Sequence, residues 1–109
     1  MGEVQENPPV SAETQRRIDL LFAADERAEV AALLELECSH NLPLRSNASD
    51  AAVERIHFAA LKVSRGDMDE LVRAIELAQI DWRDLLVAAG FAEDVSAHER
   101  WLPRDDARP

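Results

Sequence analysis

DWRDLLVAAGF, residues 81–91, is the stretch whose reading sets the fold class. Asp81 is an N-cap type: its carboxylate accepts from the free amides of a first helical turn. Asp84, three positions on, also favours the positive end of a helix. Trp82, Leu85, Leu86 and Ala89 recur at helical spacing and make a stripe that needs a core to face. Gly90 supplies a left-handed stop, and Phe91 is placed to fold back onto the last turn. The stretch is a short helix with both ends marked, not a catalytic loop.

The same grammar extends in both directions. Before it, a helix over about 68–79 places Met68, Leu71, Val72 and Ile75 on one stripe, with Asp69 and Arg73 paired on the other side. Arg65-Gly66-Asp67 is then a glycine stop followed by an aspartate cap, a turn rather than an integrin ligand. Upstream, DAAVERIHFAALKVS (50–64), capped by Ser49 or Asn47, carries Val53, Ile56, Phe58, Ala60, Leu61 and Val63 around most of its circumference. A helix apolar nearly all round is central, so this one is expected to be the hub. Ser11 caps a first helix of about 12–23 with Ile18, Leu21 and Phe22 on one face. Asp25 restarts the chain into a second helix with Val30, Leu33 and Leu34, which fades near Ser39, and Pro43 forbids its continuation. A last short helix, about 96–102, has Ser96 as its cap, Trp101 and Leu102 packing inward, and Pro103 as its end.

No strand-like alternation occurs anywhere. The expectation is an all-α fold: a compact bundle or helix-pair stack of about five to six short helices, with the central helix at about 50–64. Residues 1–10 and 104–109 are expected to be disordered or frayed tails around a single domain, 11–103. The two similar stretches that begin at Phe22-Ala23-Ala24 and Phe58-Ala59-Ala60 suggest a helix-pair repeat of the ankyrin kind. Their spacing differs, however, and convergent patterning explains them better.

Composition limits the function classes. The 109 residues carry a net charge of -10, with nine acids and four bases in 1–49 and thirteen acids and eight bases in 50–109. The charge is even along the chain and no basic cluster exists to release counterions, which argues against nucleic acid as a partner. A helix-turn-helix made by the turn at Gln79–Asp81 would present Asp81 and Asp84 to phosphates, and these would repel. The acidic surface favours solubility and attraction to a basic protein partner. Eighteen alanines and eleven arginines beside a single lysine, Lys62, suggest a GC-rich bacterial source. One cysteine, no basic-then-apolar leader and no long apolar run lead us to expect a cytoplasmic protein away from membranes.

Chemistry-bearing side chains are sparse. Cys38-x-His40 lacks the second pair that a zinc site needs, and His57 sits between Ile56 and Phe58 where a buried, hydrogen-bonded histidine is expected. Cys38 lies at the end of a helix beside Glu35 and Glu37, and both features oppose a thiolate. His98 has no ligand partner at metal spacing, and the glycines are isolated, so neither a metal nor a phosphate-binding loop is expected. No catalytic residue and no cofactor is assigned.

Residues 54–103, through FAALKVS (58–64), DWRDLLVAAGF (81–91) and HERWLP (98–103), resemble small uncharacterised bacterial all-helical proteins. These motifs are structural, and the resemblance implies a helical fold and no activity.

What remains is surface. The longest connection, 39–49, holds His40, Asn41, Leu42, Leu44, Arg45 and Asn47, a mixed polar and apolar set of the kind that interaction loops use. Trp101 and Leu102 are either an aromatic anchor for a partner or, the preferred reading, a latch on the domain. The sequence is read as a non-enzymatic protein-interaction or regulatory module of the bacterial cytoplasm. The alternative is a homo-oligomeric structural protein joined through leftover apolar faces such as LLVAAGF (85–91). A small-molecule-binding protein or enzyme comes third.

Overall fold

In the computed structural model, residues 10–38, 50–94 and 96–103 are described. The described chain is all-helical: α1 (Ala12–Leu21), α2 (Arg27–Glu37), α3 (Asp50–Ser64), α4 (Met68–Ala89) and a 3-10 turn (Ala97–Arg100). There are thus four α-helices among the described residues, fewer than the five to six expected, and two physical reasons account for the difference.

The first lies at Asp81. Its backbone (φ -158°, ψ 98°) is extended, and its carboxylate accepts from the Arg83 amide at 3.0 Å, as a cap should. The interruption is a single residue, however, so the two expected helices join into one kinked α4. The helix-turn-helix reading therefore lacks its turn. The second lies at Ser96. Instead of capping with its hydroxyl, Ser96 donates its amide to Asp94 Oδ1 at 2.8 Å, and the chain beyond it forms only a 3-10 turn. That hydrogen bond, with Arg100 beside it, holds the Asp94 carboxyl below the usual carboxylate range.

Elsewhere the local signals hold. Ser11 Oγ accepts from the Thr14 amide at 3.1 Å and donates to Glu54 of α3 at 2.6 Å, so the cap also docks α1 on the hub. Asp67 Oδ1 accepts from the Glu70 amide at 3.0 Å. Arg65 and Gly66 both take positive φ, which turns the chain from α3 to α4. Gly90 is left-handed (φ 81°), and its amide and that of Phe91 donate to Val87 O and Leu86 O, which closes α4. The caps proposed for α3, Asn47 and Ser49, lie outside the described residues. At the start of α2 no side chain caps: Glu26 holds the N-cap position, not Asp25. Arg73 pairs with Glu70 at 2.6 Å rather than with Asp69.

Helix α3 is the hub. Six consecutive residues, Ile56 to Leu61, are buried, so every side of this helix meets protein. It packs mainly on α4, and also on α1 and the 3-10 turn, while α2 bridges α1 and α4. Val53, Ile56, Phe58, Ala60 and Leu61 are buried as expected, and Val63 is half-buried. In α4 the core side is Leu71, Ala74, Ile75 and Ala78, followed after the kink by Leu85, Leu86 and Ala89, whereas Val72 faces solvent. The core also begins one residue before the expected domain boundary, because Val10 is buried in it. Residues 1–9 and 104–109, expected as tails, lie outside the described residues. Phe22 stands at the C-cap of α1 and Phe58 inside α3, so the two Phe-Ala-Ala stretches occupy unlike places and do not form a structural repeat.

Candidate interaction surface

Among the described residues, the cysteine and both histidines are internal. Cys38 ends α2 fully buried, and burial pushes its thiol up to about 12. His57 is buried within α3. His98 is buried in the 3-10 turn, its ring 5.2 Å from Phe58 and 6.2 Å from Phe91. Among the described residues no group of three or more His, Cys, Asp or Glu is placed to hold a metal ion. No helix among them is long and apolar enough to cross a membrane.

Of the residues singled out from sequence, His40, Asn41, Leu42, Leu44, Arg45 and Asn47 lie outside the described residues. Trp101 and Leu102 are half-buried. Trp101 packs at the core's edge, its ring 6.3 Å from both Phe58 and Phe91. Its carbonyl accepts from Arg17 Nε at 3.0 Å.

Arg17 was not singled out by sequence reasoning, yet it secures this segment. It is only 3% exposed although it is an arginine, and its guanidinium lies 4.0 Å over the Phe58 ring. Its Nη1 donates to both the backbone O and Oε1 of Glu13 at 2.8 Å. That bond holds the Glu13 carboxyl below its ordinary range. The available signal was positional: residues 14, 17, 18 and 21 share one helical face, and Arg17 lies on the same face as Ile18.

Large exposed aliphatic side chains lie elsewhere, on α2 and α4, on either side of a link between these helices. Gln79 Nε2 donates to the backbone O of Glu37 at 2.9 Å and to its carboxylate at 3.2 Å, so an α4 side chain closes the C-terminal end of α2. The chain neighbours of this pair are Leu36, 67% exposed, and Ile80, 80% exposed. Each stands three residues beyond a half-buried leucine at the core's edge, Leu33 and Leu77 respectively. Apolar surface therefore runs from the core out to solvent on both helices. Glu35, Glu76 and Asp84 on the same two helices are exposed and without an ion pair among the described residues. The cations of α4 are engaged already, Arg73 by Glu70 at 2.6 Å and Arg83 by Asp81 at 3.3 Å.

The apolar run at 85–91 is not a leftover face. Leu85, Leu86, Ala89 and Phe91 are core residues, and only Val87 among its large side chains is exposed. The run is consumed by folding.

Compared with protein-family models, with curated proteins and with solved structures, the chain matches none.

Proposed function

We propose that this protein is a non-enzymatic interaction module with a regulatory role in the bacterial cytoplasm, and that it binds another protein through the apolar surface where α2 meets α4. The observation that carries the reading is the exposure of Leu36 and Ile80 side by side with the Glu37–Gln79 link. Isolated surface leucines are ordinary. Two large aliphatic side chains left exposed on adjoining helices are anchors of the kind that partners cover.

The burial of Cys38, His57 and His98 supports a binding role over an enzymatic one, since a nucleophile or general base must reach its substrate. The charge of -10 supports a basic partner, and the same charge weighs against homo-oligomerisation.

The test is affinity capture from the cells that carry the gene, comparing the tagged native chain with a Leu36→Ser/Ile80→Ser variant. A stoichiometric partner held by the native chain and lost by the variant is the expected result. Identical recoveries with both chains, or none with either, would remove this reading.

A further inference from the structure

We draw no further inference here: the strongest candidate, the 3-10 turn and Trp101 seated on the Phe58 and Phe91 rings, belongs to the contacts already described with Arg17, and nothing in the structure shows what would take its place.

Discussion

Arg17 Nε donates to the carbonyl oxygen of Trp101, a hydrogen bond of 3.0 Å between residues 84 apart in sequence. It is one instance of a pattern. Arg27 donates to the carbonyls of Phe22 and Asp19, closing the end of α1, and Arg55 donates to those of Phe91 and Ala92 beyond the end of α4. The single lysine, Lys62, lies 4.9 Å over the Phe91 ring. These cations serve the fold by satisfying backbone carbonyls and ring faces. Carboxylates such as Glu35, Glu76 and Asp84 are left exposed.

Replacing Arg17 with Met keeps the stem's packing and removes the fork. The loss of hydrogen bonds made by a buried charged group should lower stability by about 2–3 kcal/mol in urea unfolding. In a Trp82→Phe background the remaining Trp101 emission should shift to longer wavelength and become more accessible to acrylamide. An unchanged emission would mean that Arg17 does not hold the Trp101 segment.

The two left-handed glycines should differ in their tolerance of a methyl group. At Gly90 a Cβ would meet only the Lys62 ammonium at 3.8 Å, so Gly90→Ala bears the backbone strain alone, about 1–2 kcal/mol. At Gly66 a Cβ would stand 2.7 Å from the Leu21 carbonyl oxygen, a backbone atom that cannot step aside cheaply. Gly66→Ala should therefore be the more destabilising of the two by thermal melting.

Much of this was legible in the sequence, and the parts that were not share a cause. Ser11, Asp67 and Gly90 do what their types suggest, because caps and stops involve neighbours within four residues. The hub role of α3 was legible because a helix apolar on all sides has only one stable place. Asp81 was legible as a cap but not as a kink, since sequence marks where a helix restarts without saying how far the chain turns. Arg17 was missed because its partners Phe58 and Trp101 are brought to it by the tertiary fold. Leu36 and Ile80 were missed for a related reason: an exposed aliphatic residue looks like a core residue until the core is known.

Burial of Cys38 predicts an alkaline loss of stability. Burial raises its thiol from 9.0 to about 12, so folding favours the protonated form. The stability this confers is fully present below about pH 9 and is lost as pH rises toward about 12, with a slope approaching about 1.4 kcal/mol per pH unit. The chain has no tyrosine to titrate in the same window. Urea midpoints measured across that range should fall steeply in the native chain and more gently in Cys38→Ala. Equal slopes would show that Cys38 ionises without cost.

Position in the fold should separate leucines that look alike in sequence. Leu85→Ala empties a fully buried site and should cost about 2–5 kcal/mol in denaturant unfolding. Leu36→Ser and Ile80→Ser alter exposed positions and should each stay within about 0.5 kcal/mol of the native chain. A large loss at Leu36 or Ile80 would mean that these side chains serve folding rather than binding.

The most direct measurement is hydrogen–deuterium exchange on the protein alone and in complex with its captured partner. The account predicts slowed exchange in two peptides, one covering the end of α2 through Glu37 and one covering Leu77 to Asp84 of α4, with the 3-10 turn and Trp101 unchanged. Protection confined to other segments, or a complex that leaves both peptides exchanging as before, would contradict it.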